Sequence, residues 1–339
     1  MTTSVVTGGG GFVGRHLVNG LAARGDDVRN ADLRAPSEPY GEKVAGTFVQ
    51  CDVTDPESVR KAIRGADVVF HNASAVHTKQ THVDYVRKVN FEGTRNVIEA
   101  CRTEGVRKLV YVSSGSVVYE GKDIENGDET LPYPRTMQAP YADAKIAAEK
   151  LVLAENDRTL ATASLRPHVI YGAYDGRFLP AVLAHARAGR LKVQVGTGTW
   201  LSDYTYVENL VDALLLAGDK LDVGSPVAGR AYFITNGEPM PFWDFVRRVL
   251  DRLKLPPIRY RVPHQLVYGI AAIKEGFEAL RGGELSPEDG LTRFAIRYMC
   301  THHYFSIERA RKELGYEPRV TVAEGIERTC TWLEKTGQA

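Results

Sequence analysis

The chain has 339 residues, 43% of them apolar and 25% charged. That is enough for about two globular domains, and it excludes a disordered, collagenous or heptad-dominated protein. With 43 Lys and Arg against 42 Asp and Glu the net charge is +1, so no bulk field draws in an acidic membrane and no nucleic-acid partner is expected.

The N-terminus, Met1–Thr7, has no basic segment followed by an apolar core, so no export signal is expected. Cys51, Cys101, Cys300 and Cys330 are too scattered for a C-x-x-C pair or a disulfide framework, and they read as free thiols in a reducing cytoplasm. Short β-branched runs predict strands near Ser4–Thr7, Val28–Asp32, Thr47–Cys51, Asp67–His71, Lys108–Ser113 and Ala161–Arg166. Helical patterns lie between them, notably Val83–Thr103 and Tyr141–Glu155. This alternation predicts an α/β fold, a Rossmann-type doubly wound parallel sheet over residues 1–166.

After Arg166 the alternation weakens and Pro and Gly punctuate the chain. A smaller, mostly helical C-terminal substrate domain is expected over 167–205 and 236–339, with 206–235 returning to the sheet through a helix at Val207–Leu216 and a strand at Ala231–Ile234. Thr321-Val-Ala-Glu324 fits a capping box that opens the last helix. The most apolar late stretch, Val262–Leu280, is interrupted by His264, Lys274, Glu275 and Glu278, short of the ~20 apolar residues of a bilayer span. Within it, Leu266, Ile270, Ile273, Phe277 and Leu280 form one helical stripe that packs into the core, covers a lipophilic substrate or makes a weak monotopic membrane contact.

The first strand runs into Thr7-Gly-Gly-Gly-Gly-Phe-Val-Gly14, and a helical pattern follows. Gly8, Gly11 and Gly14 permit a tight turn, close approach of backbone N–H groups to a pyrophosphate, and tight helix-on-strand packing at a helix N-terminus. Strand, turn and helix in that order are the context that identifies a dinucleotide site. Asp32 ends the second strand, where a carboxylate accepts hydrogen bonds from an adenosine ribose and repels the 2′-phosphate of NADP. NAD is therefore the expected cofactor, although Arg34 would offset the repulsion if it turned inward. Asp52 either caps a loop or reaches the adenine amino group.

Tyr141 and Lys145 open a helix, and a spacing of four puts phenol and ammonium on one face. A phenol titrates near pH ~10. A general base needs that value lowered, which a neighbouring Lys⁺ and a cationic nicotinamide ring both favour. Ser113, Ser114 and Ser116 follow the fifth strand, at the sheet edge where ligands bind. Ser114 is the expected donor to the substrate oxygen.

In this order the motifs resemble the extended short-chain dehydrogenase/reductase family. The matching segments are Thr7–Gly14, Asp52-Val-Thr-Asp55, His71-Asn-Ala-Ser74, Val89-Asn-Phe-Glu-Gly-Thr94, Val112-Ser-Ser114, Tyr141–Lys145 and Leu165-Arg-Pro167. The resemblance implies that Ser114 polarises the substrate oxygen, Tyr141 exchanges the proton, and Lys145 lowers the tyrosine pKa while binding the nicotinamide ribose. It implies adenine contacts from Asp52 and Val53, cofactor contacts from Phe12, Val13, Asn72 and Ala73, an ordering role for Asn90, a nicotinamide pocket lined by Pro167, and a homodimer.

Ser202-Asp-Tyr-Thr-Tyr-Val-Glu-Asn-Leu-Val211 and Ile234-Thr-Asn-Gly-Glu-Pro-Met-Pro-Phe-Trp243 look most like the branch of 3β-hydroxysteroid and sterol-4α-carboxylate dehydrogenases. A small-molecule secondary alcohol or ketone on a bulky apolar body is the implied substrate. The alternative is a nucleotide-sugar epimerase or dehydratase. Such enzymes commonly carry Arg where Ser202 stands, leaving Arg293 or Arg297 to supply the cation. Phe242, Trp243, Tyr260, Tyr268 and Phe294 either line a pocket or simply pack. His302-His303 and the pair His77 and His82 lack a ligand spacing suited to zinc, so no metal is expected.

Overall fold

A computed structural model describes residues 1–38, 40–76, 82–135, 139–281 and 292–339; His77 lies outside them. Seven strands form one parallel sheet: β1 (Thr3–Thr7), β2 (Asp27–Asp32), β3 (Thr47–Gln50), β4 (Val68–His71), β5 (Lys108–Val112), β6 (Ala161–Pro167) and β7 (Arg230–Ile234). Their spatial order is β3-β2-β1-β4-β5-β6-β7. Side chains such as Val5, Val6, Val69, Leu109 and Val110 are fully buried, as expected of strands covered on both faces.

On one face, helices Phe12–Ala23 and Val207–Lys220 bury Leu17, Leu21, Leu210 and Leu214 against Val6, Val110 and Leu165. On the other, helices Pro56–Ile63, Gly93–Glu104 and Pro140–Ala154 bury Val59, Val97 and Val152 against Val5, Val69 and Leu109. The chain winds in opposite directions from β1 and from β4. A crevice therefore opens between their carboxyl ends, where open α/β sheets bind ligands. The helical run from Val83 to Glu104 contains a wide π turn at Lys88–Glu92, and that turn carries Asn90.

Beyond β6 the chain forms helices Phe178–Arg187, Phe242–Arg252, His264–Leu280, Arg293–Met299 and Val322–Lys335. Half of the expected capping box forms. The Thr321 hydroxyl accepts the Glu324 N–H at 3.2 Å, but the Glu324 carboxylate pairs with Arg328 instead of reaching back.

The apolar stripe on helix His264–Leu280 is not core. Leu266 is 57% exposed, Phe277 60% and Leu280 85%, whereas Val267 and Ala271, on another face of the same helix, are buried. Among the described residues no helix is long and apolar enough to cross a membrane.

Candidate active site

A cavity of about 700 Å³ occupies the crevice, within the size range of ligand clefts. The turn after β1 forms its floor. Gly8 has φ +67°, and a Cβ there would lie 2.7 Å from the Ala73 Cα; one on Gly14 would lie 2.0 Å from the Gly8 carbonyl oxygen. Both positions therefore exclude any side chain. Gly14 sits behind the turn and does not line the cavity, whereas Gly8, Gly11, Phe12 and Val13 do.

A buried network fixes the β4 end against this turn. The Thr7 hydroxyl oxygen accepts the N–H groups of Asn72 and Ala73, each at 3.2 Å, so its own proton goes to His71 Nδ1 at 2.7 Å. Thr94 donates its hydroxyl proton to the Asn90 carbonyl at 2.6 Å; His71 Nε2, 2.9 Å from the Thr94 oxygen, therefore carries the ring proton. Burial, with Lys145 adding its charge, pushes the His71 pKa down to about 3, which keeps the ring neutral. Asn90 does not line the cavity. It clamps Ala75, accepting its N–H at 2.7 Å and donating to its carbonyl at 2.9 Å, and so shapes the wall that Ala73 to Val76 provide.

At the end of the cavity beside β2, Asp32 lines the wall. Its carboxylate accepts the Gly10 N–H at 2.9 Å and the Leu33 N–H at 2.7 Å. Arg34 is exposed and lies outside the cavity wall. Asp52 and Val53 both line the wall. Asp52 also caps its loop, accepting the Thr54 N–H and hydroxyl at 2.8 Å each, so the two sequence readings of this residue are compatible.

Pro140 at the first turn opens helix Pro140–Ala154, and the spacing of four brings Tyr141 and Lys145 to the same cavity with Ser113, Ser114 and Pro167. The Ser114 oxygen accepts from the Ser116 N–H at 3.2 Å and the Ser116 hydroxyl at 2.9 Å. With both of those donors inbound, its own proton is left to point elsewhere. Burial pushes the Tyr141 phenol above its ordinary value, while hydrogen bonding with Ser114 and the charge of Arg177 pull it back. Lys145 is buried, and its ammonium donates to the Val112 carbonyl at 2.7 Å. Burial pushes its pKa down to about 7, against the charge of Glu149. The charge that acts on the phenol here is that of Arg177, while the Lys145 ammonium is tied to the Val112 carbonyl.

The far wall was not foreseen residue by residue. Val169, Ile170, Tyr174, Asp175, Arg177 and Phe178 line it, on the segment after β6 that the Pro and Gly punctuation marked only as a change of character. Helix Phe12–Ala23 holds that segment in place. His16 Nε2 bonds the Ala173 carbonyl at 2.9 Å, and the Arg15 guanidinium stacks 3.7 Å over the Tyr174 ring. The aromatics singled out from sequence lie elsewhere: Trp243 is buried with its Nε1 donating to the Val195 carbonyl at 3.1 Å, and Tyr260 is exposed. Arg293 pairs with Glu275 and Arg297 with the Tyr268 hydroxyl; neither lines the cavity.

Residues 5–262 match the 3-beta hydroxysteroid dehydrogenase/isomerase family. The chain is 40% identical to a 2-alkyl-3-oxoalkanoate reductase of Stenotrophomonas maltophilia, over 96% of this chain and 97% of the relative. It is 37% identical to a decarboxylating sterol-4-alpha-carboxylate 3-dehydrogenase of Mus musculus, over 96% and 89%. Among solved structures it resembles a UDP-glucose 4-epimerase of Thermus thermophilus in complex with NAD, with a TM-score of 0.74, 25% identity and coverage of 98% and 99%.

Proposed function

The chain belongs to the 3-beta hydroxysteroid dehydrogenase/isomerase family, and from that premise we propose that it is a nicotinamide-dinucleotide-dependent oxidoreductase that interconverts a secondary alcohol and a ketone on a bulky, apolar body. One observation carries the reading: the glycine-rich turn, Asp32, Ser114, Tyr141 and Lys145 all meet in a single cavity. Relatives named for 2-alkyl-3-oxoalkanoates and sterol-4-alpha-carboxylates supply the substrate class.

The residues present fit the coenzyme. Gly8 and Gly14 leave no room for a Cβ, so the backbone of the turn stays open to a pyrophosphate at a helix N-terminus. Asp32 would hold the adenosine ribose, Asp52 and Val53 would border the adenine, and Lys145 and Pro167 would border the nicotinamide half. NAD is favoured over NADP, because the Asp32 carboxylate opposes a 2′-phosphate and Arg34 stands outside the cavity. When bound, the coenzyme supplies the group that takes or gives hydride.

The chain's own residues manage the oxygen and its proton. Ser114 donates its hydroxyl proton to the substrate oxygen. In oxidation Tyr141 Oη takes the alcohol proton; in reduction it returns one. Lys145, as ammonium, favours the phenolate and would hold the nicotinamide ribose when the coenzyme is bound.

A nucleotide-sugar epimerase would need cationic partners for its substrate's pyrophosphate. Ser202 stands where such enzymes carry Arg, and its hydroxyl lies 3.1 Å from His303 Nδ1. The test is to mix the protein with NAD⁺ and either 3-hydroxysteroids or 2-alkyl-3-hydroxyalkanoates. Net NADH formation is expected. Interconversion of UDP-sugars with no net coenzyme change would overturn the reading.

A further inference from the structure

Lys145 is useful to Tyr141 only as an ammonium, and it is buried where charge is disfavoured. Its Nζ donates to the Val112 carbonyl at 2.7 Å and lies over the ring of Tyr111, 4.7 Å from the centroid. Glu149, one turn further along the same helix, also favours the charged form. That carboxylate is already paired, however: Arg166 on β6 donates to it through Nε and Nη2 at 2.7 to 3.1 Å, Ser164 at 2.7 Å and Tyr133 at 2.9 Å. The remaining titratable groups bring the amine no negative charge. Burial keeps His71 on β4 neutral and pushes the phenols of Tyr111 and Tyr141 above their ordinary value, and Arg177 on the far wall is itself a cation.

Tyr111 is fully buried on β5, between the His71 ring, 5.6 Å away by centroids, and the side of helix Pro140–Ala154 that carries Ala148 and Val152. Among the described residues its hydroxyl meets no partner within hydrogen-bond geometry. What it offers Lys145 is therefore the face of the ring, whose negative quadrupole attracts a cation most strongly where water is excluded. We infer that Tyr111 is a positioning residue for the reaction: its ring face, and not its hydroxyl, holds Lys145 as an ammonium beside Tyr141. Tyr111 does not line the cavity, so it acts only through Lys145.

This inference rests on the alcohol–ketone reading for the use made of that charge, and the test separates the two. The Lys145 Cε resonance, assigned in carbon-labelled protein by its loss in Lys145→Met, is titrated with no substrate present. Wild type and Tyr111→Phe are expected to share a midpoint of about 7, and Tyr111→Leu to titrate about one pH unit lower, because the ammonium has lost the ring face. In the pH profile of kcat/KM the alkaline limb, where the ammonium is lost, should move down by the same amount in Tyr111→Leu and stay in place in Tyr111→Phe. If Tyr111→Leu does not fold, replacing Tyr111 by phenylalanines of increasing fluorination keeps the shape while weakening the ring face, and the midpoint should fall step by step. A midpoint indifferent to leucine or to fluorination overturns the inference, as does a shift in Tyr111→Phe equal to that in Tyr111→Leu, which would assign the effect to the hydroxyl. A midpoint that moves as expected in a protein that oxidises no alcohol supports the inference and ends the reading of the reaction. Normal alcohol oxidation with unmoved midpoints does the reverse.

Discussion

The Lys145 ammonium donates a 2.7 Å hydrogen bond to the Val112 carbonyl, tying the helix that carries Tyr141 to the end of β5, immediately before Ser113 and Ser114. Without coenzyme this bond holds a buried cation whose pKa burial has brought down to about 7. The sign of the linkage follows. Between pH 7 and the ordinary lysine value of 10.5 the unfolded chain binds the proton and the folded chain does not, so folding stability rises with pH across that window. In Lys145→Met this component of the rise is expected to vanish, which melting curves of both proteins from pH 7 to 9.5 would reveal. Turnover should also fall by about 10²- to 10⁴-fold, as should that of Tyr141→Phe, with coenzyme still bound. Parallel pH dependences of melting would show that Lys145 stays charged in the free protein.

Asp32 has two tasks. Its Oδ2 accepts the Gly10 N–H at 2.9 Å, so it braces the turn, and in the proposed coenzyme site it would also hold the ribose. Asp32→Ala is expected to relax discrimination against NADP and also to weaken NAD binding by about tenfold, since a charge-assisted hydrogen bond is lost. Asp32→Asn retains an acceptor for Gly10, and it should narrow the NAD over NADP preference with less damage to NAD affinity. Dissociation constants for both coenzymes decide this. If Asp32→Ala binds NAD as the wild type does, the bracing contributes nothing to affinity.

Gly8, Gly14, Tyr141 and Lys145 indicate what was legible in the sequence. Gly8 and Gly14 are written into the chain because their requirement is steric and local, and Tyr141 and Lys145 because a helix brings residues four apart together whatever else the chain does. Arg177 carries no such mark. It reaches the cavity only because the Asp175 cap, the His16 contact to Ala173 and the Arg15–Tyr174 stack fold residues 172–178 over the crevice, and these are long-range contacts that no spacing encodes. Likewise the period of helix His264–Leu280 announced an apolar stripe, but the face that meets the rest of the molecule is the one with Val267 and Ala271, which the pattern did not distinguish.

That face makes the stability of the helix testable. Ile273 is 63% exposed and Phe277 60%, so Ile273→Ser and Phe277→Ser are expected to change folding stability by no more than about 0.5 kcal/mol, as at ordinary surface sites. Ala271 is fully buried within a cluster that includes Val195, Trp243 and Ile296, and Ala271→Leu should cost about 1–3 kcal/mol through overpacking. Chemical denaturation of the three variants measures both. A large loss from the serine substitutions would mean that the stripe is covered in solution.

Asp203 offers the converse pH experiment. It is fully buried, its Oδ2 accepts the Phe305 N–H at 2.7 Å, and among the described residues its Oδ1 meets no donor within hydrogen-bond geometry. Burial raises its pKa from the ordinary 3.8 to about 7, although the bonds from Phe305 and Thr235 oppose the shift. Here the folded chain holds a proton that the unfolded chain has released. The stability this contributes is complete below pH 4 and is lost as pH rises towards 7. Asparagine keeps an acceptor for Phe305 and carries no charge, so Asp203→Asn should match the wild type at pH 4 and exceed it by about 1–3 kcal/mol at pH 8. Denaturant titrations at the two pH values supply the comparison. A stability difference that stays constant between them would show that Asp203 does not take up a proton on folding in this range, and the buried carboxylate would then have a partner other than those seen.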